Sequence, residues 1–393
     1  MRDTGRVSVR AVLVYLMALV LGCASAPWRR EPAGITLDEL RAGAPLGVAQ
    51  DSPALVDEDE VLAVSTGMQA FLDTHVTRTA GRVPRLRQLA YAIISEGTFG
   101  LQYDETTRTA SKTFQARRGN CLSFSNMFVA MARHVGLDVH YQEVDTPPDW
   151  SFKDDAFVLN RHVNVLVDLG KEGEHVVDFN MDDFRTSYDR RRISDARARA
   201  HYYNNVAVER MQVGDTASAL LYFRRATGHD PLFSPAWTNL GILYLRKGHP
   251  AYAEAAYLQA LKADRGDLVA VSNLASLYEG LGDQGRAALY RNRVIDHRES
   301  NPYYRFQLAR DAFLAQDYDG AISHLKYAVR KKKNEDQFCF LLGLSYMKKG
   351  DEQAARSWLS RAEEMAATSA LKSRYSSKID MLLPAPKDES RHQ

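Results

Sequence analysis

The sequence contains few cysteines and no excess of charge of either sign. Three cysteines among 393 residues cannot form a disulfide framework, so we interpret each of them by itself. The 51 basic and 49 acidic side chains leave a formal net charge of +2, and both signs are mixed along the chain. This balance predicts no nucleic-acid partner. The sequence also lacks a Cys-x-x-Cys pair, a His-Glu-x-x-His motif and a glycine-rich phosphate loop, which predicts no metal, no nucleotide and no other cofactor.

Long apolar runs are equally scarce. The run near the N-terminus, Ala11–Leu21, has eleven residues and is too short to cross a bilayer of about 30 Å. Arginines precede it, which is typical of an export signal. The run ends at Val20-Leu21-Gly22-Cys23, which resembles a bacterial lipobox, where a peptidase cuts before a cysteine that carries a diacylglycerol. The alternative is an ordinary signal peptide with an incidental cysteine.

The lipobox resemblance implies a signal peptide over residues 1–22, a lipid on Cys23 and a membrane contact through that lipid. Ala24, rather than an aspartate, follows the cysteine, which favours the outer membrane with the protein facing the periplasm. The next stretch is rich in Ala, Gly, Pro and charge and predicts a tether over residues 23–55.

The second half of the chain repeats itself every 34 residues. A small residue recurs in each unit, at Ala207, Gly241, Ala275, Ala309 and Gly343, and a turn glycine recurs with Gln316 as its one exception. Small residues let two helices approach closely, and a glycine ends the first helix. This pattern resembles tetratricopeptide (TPR) repeats. It predicts an all-α TPR solenoid of five repeats over residues 200–369, a capping helix over 370–384 and a disordered tail over 385–393.

Projection of the repeat onto units four and five predicts an apolar concave face that binds a protein or peptide partner. The predicted partner-binding residues are Tyr303, Phe306, Phe313, Phe340 and Met347. The alternative is that a terminal helix or a neighbouring chain covers this face.

A cysteine stands at the predicted start of an apolar helix in the first half of the chain. Gly119-Asn120 is typical of a turn, Cys121 follows it, and apolar residues then recur at helical spacing until Gly136. A helix N-terminus carries about half a positive charge and free backbone N–H groups, which favour a thiolate and can bind an oxyanion. Cys121 is therefore a candidate nucleophile, and it needs a base and a group that orients the base.

Three short motifs resemble those of the transglutaminase-like superfamily. They are Arg118-Gly119-Asn120-Cys121, then Arg161-His162-Val163-Asn164-Val165 opening a predicted strand, and His175-Val176-Val177-Asp178 ending the next strand. The resemblance implies that Cys121 is the nucleophile, His162 the general base and acid, and Asp178 the group that orients the imidazole. It also implies an α+β papain-like (transglutaminase-like) domain, predicted over residues 56–195.

Two details of this site stay open in the sequence. The family often has a proline after the aspartate, whereas Phe179 follows Asp178 here, and Asp182 is an alternative third group. The oxyanion hole uses the Cys121 backbone N–H and a second donor, for which Tyr103 and Gln115 are candidates.

The leading hypothesis is a periplasm-facing cysteine enzyme that acts on an amide bond of a protein or peptide, with hydrolysis and acyl transfer both open. The repeat array recruits the partner. One alternative is a non-enzymatic assembly lipoprotein with a degenerate transglutaminase-like domain. A lytic enzyme aimed at peptidoglycan stem peptides is another.

Overall fold

The computed structural model describes residues 34–48, 55–94, 99–145, 162–179, 188–366 and 368–380. The predicted signal peptide, the lipidation residue Cys23, the alternative residue Asp182 and the predicted tail lie outside the described residues. None of the helices in the described ranges is long and apolar enough to span a membrane.

A mixed α and β region forms the first half of the described chain. Its helices are α1 (Leu37–Ala42), α2 (Glu58–Val61), α3 (Thr66–His75), α4 (Arg82–Ile94), α5 (Ala110–Ala116) and α6 (Cys121–His134). Its strands are β1 (Gln102–Tyr103), β2 (Arg118–Gly119), β3 (Asp138–Val144), β4 (His162–Asp168), β5 (Glu174–Val177) and β6 (Arg190–Ile193). The expected α+β class is confirmed, and β4 and β5 agree with the two strands predicted at the His162 and Asp178 motifs.

The larger sheet positions the site. Its four antiparallel strands have the order β5-β4-β3-β6, while β1 and β2 form a separate parallel pair. Helix α6 packs against β3 and β4, and its residues from Leu122 to Ala132 are all buried. The protein therefore surrounds this helix, and its polar residues Ser123, Ser125 and Asn126 are buried along with the apolar ones. The start of α6 therefore lies in a fixed position relative to the start of β4.

Ten helices from Asp195 onward pair into five hairpins, which confirms the TPR solenoid. The first helices are α7 (Asp195–Gln212), α9 (Ser234–Arg246), α11 (Leu268–Gly280), α13 (Pro302–Leu314) and α15 (Asp336–Lys349). The second helices are α8 (Thr216–His229), α10 (Pro250–Ala263), α12 (Gln284–Ser300), α14 (Tyr318–Lys331) and α16 (Glu352–Met365). A last helix, α17 (Ser369–Asp380), packs on α16.

The small residues of the repeat are explained by the contact between paired helices. A Cβ atom on Gly241 would lie 2.5 Å from the ring of Tyr257, and one on Gly343 would lie 2.7 Å from Leu359 Cγ. Real Cβ atoms do not approach other atoms so closely, so the second helix can pack at this distance only against glycine.

The hydrophobic core does not stop at the boundary between the two halves. One continuous cluster of buried side chains extends from Leu40 through the sheet and α6 to Tyr290 in the third repeat. A second cluster begins at Ala309 and ends at Tyr375 in α17. The mixed region and the first three repeats therefore fold against each other, and repeats four and five have a core of their own.

The described part of the predicted tether is in fact packed structure. Helix α1 has a capping box, in which Thr36 and Glu39 each bond the other's backbone N–H. Leu40 is buried, the Arg41 guanidinium donates to the Thr227 carbonyl oxygen at 3.0 Å, and the Tyr244 hydroxyl donates to the Leu40 carbonyl. Residues 34–48 thus belong to the folded protein, and a tether is compatible only with the residues before them.

Gln316 adopts the left-handed backbone conformation of the glycines that it replaces. Its φ is +63°, against +75° at Gly282, the equivalent position one repeat earlier. This conformation costs a residue with a Cβ atom about 1–2 kcal/mol, while glycine loses up to about 1 kcal/mol through the entropy of the unfolded chain. We expect Gln316→Gly to raise the free energy of unfolding by about 1 kcal/mol, measured by urea denaturation.

Gly282→Gln is the matched control, because a Cβ atom at Gly282 would meet no atom within 4 Å. It should lower the free energy of unfolding by a similar amount. A Gln316→Gly protein that is less stable than the wild type would contradict this account of the turn.

Candidate active site

Asn120 positions the first residue of α6. Its Oδ1 accepts a hydrogen bond from the Ser123 backbone N–H at 2.9 Å, which caps the helix, and its Nδ2 donates to Thr107 Oγ1 at 2.8 Å. Gly119 comes just before it, and a Cβ atom there would lie 2.6 Å from Ser123 Cβ. The turn is therefore closed tightly against α6. It leaves Cys121, which is partly exposed, as the first residue of the helix.

The structure brings the three predicted catalytic residues together. His162 opens β4, and its Nε2 lies 2.6 Å from Asp178 Oδ1. The Cys121 side chain lies close enough to the same imidazole ring to act on its charge. Since Nε2 is bonded to Asp178, Nδ1 is the nitrogen left for Cys121. The His162 and Asp178 side chains are 11% and 4% exposed, so little water competes for these bonds.

Two opposing effects act on the charge of His162. Burial of the ring disfavours the imidazolium. The hydrogen bond to Asp178 and the charge interactions with Asp178 and Cys121 outweigh burial and raise the pKa of His162 to about 9, from an ordinary value of 6.5. The ring therefore carries its second proton at neutral pH. A protonated imidazole beside a sulfur can donate a proton to a leaving group.

A fourth residue of this site, Asn164, was not predicted from the sequence. It is fully buried in β4, and its Nδ2 donates to Asp178 Oδ2 at 2.8 Å. His162 and Asn164 are two residues apart in one strand, so both side chains point to the same face of the sheet. Each oxygen of the Asp178 carboxylate thus has a partner from β4. This i, i+2 spacing within the histidine motif is the signal that could have identified Asn164.

Phe179, which stands where the family often has proline, packs against α6. Its ring centroid lies 5.7 Å from that of Phe124 and 6.1 Å from that of Phe128. This contact holds the residue after Asp178 against the helix that begins with Cys121. Asp178 therefore has a defined position despite the departure from the family pattern.

Tyr103 is the better placed of the two candidate oxyanion donors. In the β1–β2 pair it lies opposite Gly119, two residues before Cys121. Partial desolvation and the charges of Cys121, Glu105 and Asp104 raise the pKa of Tyr103, so its hydroxyl keeps the proton that it would donate. Gln115 lies on the exposed side of α5.

A cavity of about 480 Å³ adjoins Asp178. Helix α4 contributes Val83, Leu86 and Arg87 to its wall, and β5 contributes His175 and Val176. Apolar walls with a few polar groups are typical of sites that hold a substrate side chain. Among the described residues, no group of three or more His, Cys, Asp or Glu side chains could hold a metal ion.

The predicted aromatic groove in repeats four and five is partly covered. Phe340 is 9% exposed, and its ring stacks on Tyr375 of α17 with centroids 4.5 Å apart, so the expectation that it lines a free surface is wrong. Tyr303 and Phe306 lie on Phe338, with centroids 5.3 and 5.0 Å from it.

The other two predicted partner-binding residues lie within their own repeats. Phe313 contacts Tyr318, with ring centroids 5.5 Å apart, and Met347 packs on the second core cluster. The terminal helix therefore covers part of this face, as the alternative interpretation required.

The two halves of the chain are similar to two different protein families. Residues 72–178 match the family model of the transglutaminase-like superfamily, and residues 207–268, 238–302 and 306–370 match that of the tetratricopeptide repeat. Anaphase-promoting complex subunit 3 of Schizosaccharomyces pombe is 26% identical over 121 residues, which is 31% of this chain and 18% of that protein. The match thus spans less than a fifth of the length of this relative.

Two solved structures illustrate the likeness of the repeats. YrrB, described as a TPR protein with an unusual peptide-binding site, is 20% identical, with 45% of this chain and 92% of that chain covered and a TM-score of 0.24. Pseudomonas aeruginosa pilF is 15% identical, with 49% and 95% covered and a TM-score of 0.25. From the two family models and the architecture described above, the chain carries a transglutaminase-like domain followed by tetratricopeptide repeats.

Proposed function

We propose that this protein is a cysteine-dependent amide hydrolase or acyltransferase that acts on a protein or peptide recruited by the repeats. The observation that carries the proposal is the position of Cys121 at the start of a buried helix, beside a His162 ring that is hydrogen-bonded to Asp178. A nucleophile, a base and an orienting group in this order are what acyl transfer through a thioester requires.

The reaction follows from these contacts. Cys121 Sγ attacks the substrate carbonyl carbon, and the oxygen becomes an oxyanion that the Cys121 backbone N–H and the Tyr103 hydroxyl stabilise. The C–N bond then breaks as His162 gives its proton to the departing amine, which leaves a thioester on Cys121. Water or a lysine amine next attacks the thioester carbon, His162 takes the proton, and the C–S bond breaks. Water gives a free carboxyl group, and lysine gives a new amide.

The place of action in this proposal is the bacterial cell envelope. The arginines, the short apolar run and the lipobox-like Val20-Leu21-Gly22-Cys23 support export and a lipid on Cys23. The outer membrane facing the periplasm is the proposed location, because Ala24 follows the cysteine.

The nucleophile can be tested without a known substrate. Protein lacking residues 1–23 is labelled with iodoacetamide between about pH 5 and 9, and the modified residue is identified by mass spectrometry. We expect fast labelling at Cys121 that persists at pH 6 and falls at least about tenfold in His162→Ala, because the imidazolium stabilises the thiolate.

Cys339 provides an internal control in the same samples. It is fully buried, and burial raises the pKa of its thiol to about 11, so it should stay unmodified. Labelling of Cys121 that is slow at pH 6 and unchanged in His162→Ala would refute the enzyme and favour a non-enzymatic assembly protein.

The protonation of His162 gives a second prediction. Its pKa in the folded protein is raised above 6.5, so the imidazolium should persist through neutral pH and be lost only as the pH rises through about 9. Ring ¹⁵N chemical shifts of labelled histidines, assigned by the signal missing in His162→Gln, measure this transition. In Asp178→Asn the midpoint should move down, because the carboxylate charge is removed. A wild-type midpoint near 6.5 would contradict the described site.

Asn164 should affect the labelling rate of Cys121 through its hydrogen bond to Asp178. Asn164→Ala removes one hydrogen-bond donor from the buried Asp178 carboxylate, so we expect labelling of Cys121 to slow by about tenfold. Asn126→Ala is the matched control, since Asn126 is also buried but accepts its hydrogen bond from the Tyr141 hydroxyl. It should destabilise the fold and leave the labelling rate unchanged. Equal labelling rates in Asn164→Ala and Asn126→Ala would contradict a role of Asn164 in the site.

A further inference from the structure

Positive charge is concentrated in one part of the repeats, although the chain as a whole is nearly neutral. Residues 284–333, from helix α12 to the turn after α14, contain eleven arginines and lysines and five aspartates and glutamates. The net charge of this segment is therefore +6, against +2 for the whole chain. A local excess of one sign indicates a surface that attracts partners of the opposite sign.

One of these cations occupies a position that belongs to the core in every other repeat. Arg305 is only partly buried, and no side chain of residues 291–308 is buried. Its Nε donates to the Glu299 carbonyl oxygen at 2.7 Å, and its Cζ lies 5.0 Å from the centroid of the Tyr327 ring. A residue that breaks the pattern of its own fold is a sign of function. The residues at the equivalent positions are all fully buried: Tyr203, Trp237, Val271 and Cys339.

Two further cations converge on the same ring. Arg330 Cζ and Lys331 Nζ lie 5.5 and 5.8 Å from the Tyr327 ring centroid. In the part of the chain that the structure describes, no carboxylate forms an ion pair with Arg305, Arg330 or Lys331. Three like charges around one ring repel each other, and a bound anion relieves that repulsion. These four residues, the Tyr327 cluster, therefore favour an anionic ligand.

Aromatic rings and cations also lie side by side on the neighbouring surface. Lys326 Nζ lies 5.6 Å from the centroid of the Tyr346 ring, and Arg361 Cζ lies 5.5 Å from that of Trp358. Arg361 donates to the Lys333 carbonyl oxygen at 3.2 Å, which brings repeat five to the end of α14. Tyrosine and tryptophan beside lysine and arginine are typical of surfaces at the head-group level of a membrane, where a ring meets both apolar chains and water. This composition favours a lipid surface over an acidic protein.

The position of α1 indicates which side of the repeats faces that surface. Helix α1 packs on α8 and α10, the second helices of repeats one and two. The chain before α1 leads to Cys23, the proposed lipid anchor, so the anchored chain approaches the repeats from the side of their second helices. Helix α14 is the second helix of repeat four. Packed helices lie about 8–10 Å apart, so α14 is about 20 Å from α10, within the reach of about 50 Å that the anchored chain has.

We propose that the Tyr327 cluster on α14 binds the phosphate groups of lipids in an anionic membrane leaflet. A lipid on Cys23 gives attachment, and this surface gives orientation, with the second helices toward the bilayer and the first helices toward the solution. The inference goes beyond the proposed function, because the reaction plays no part in it.

The test measures the partition of lipid-free protein onto vesicles. Protein lacking residues 1–23 retains every described residue and has no lipid of its own. It is sedimented at low salt with neutral phosphatidylcholine vesicles, and with vesicles in which about a third of the lipid is anionic phosphatidylglycerol. We expect a partition coefficient at least about tenfold higher for the anionic vesicles, and we expect the difference to be lost at about 0.5 M salt, where screening removes the attraction.

A matched pair of double variants locates the surface. Arg330→Gln with Lys331→Gln should lower the partition onto anionic vesicles by about 10- to 30-fold, since each basic residue near such a leaflet contributes about fivefold. Arg246→Gln with Lys247→Gln is the control, because these residues are also exposed neighbours at the end of a helix, but of the first helix α9. The control should change the partition by less than about twofold, because cations far from the leaflet are screened.

Three outcomes would overturn the proposal. Equal partition onto neutral and anionic vesicles is one, and an equal loss in the two double variants is another, since it indicates attraction by net charge alone. Tighter binding to soluble polyglutamate than to vesicles of the same charge concentration is the third, in favour of an acidic protein partner. None of these outcomes depends on the reactivity of Cys121, so this experiment and the labelling experiment can fail separately.

Discussion

Glu143 carries a charge into the boundary between the sheet and the first repeat, and this charge has to be balanced from both sides. Its side chain is 2% exposed at the end of β3. His201 Nε2 of α7 lies 2.7 Å from Glu143 Oε1, and Arg191 of β6 bonds Oε2 through Nε at 2.8 Å. Burial opposes the carboxylate charge, but these partners outweigh it and lower the pKa of Glu143 to about 2.

The contacts of Glu143 with His201 and Arg191 constrain how the two halves of the protein are joined. A buried charge that loses a partner is costly, so β3, β6 and α7 are bound to one relative arrangement. Arg133 of α6 adds a second connection, because its guanidinium bonds both oxygens of Asp195 at the first residue of α7. The same helix that begins with Cys121 is thus fixed at its other end to the first repeat. The first repeat and the candidate active site consequently share one rigid frame.

The sequence patterns correctly predicted those features of the fold that depend on residues close together in the chain. The order of Cys121, His162 and Asp178 was readable because each lies in a short motif at the end of a helix or strand, and the 34-residue period reports a packing contact within each hairpin. The left-handed turn at Gln316 keeps that period although its glycine is absent. Asn164 was visible in its motif, but its role depends on burial and on a partner 14 residues away in sequence.

The wrong expectations concern contacts between distant segments. Composition suggested a tether where α1 stands, because its partners Thr227 and Tyr244 are 186 and 204 residues from the residues that they bond. Phe340 was expected on an open face because the single-repeat projection ignores α17, which follows the last repeat and covers it. Repeat projections describe interior units well and terminal units poorly, since a terminal unit is capped by something outside the pattern.

The docking of α1 on the repeats also limits how far the repeats can lie from a lipid anchor at Cys23. If Cys23 carries the proposed lipid, 13 residues lie between the anchor and Leu37, and the fully extended chain between these two positions spans at most about 50 Å. The first two repeats, to which α1 is bonded, would then be confined to a thin layer next to the membrane. Partners in solution would then have to come to this surface, whereas neighbouring membrane proteins would meet it at high local concentration.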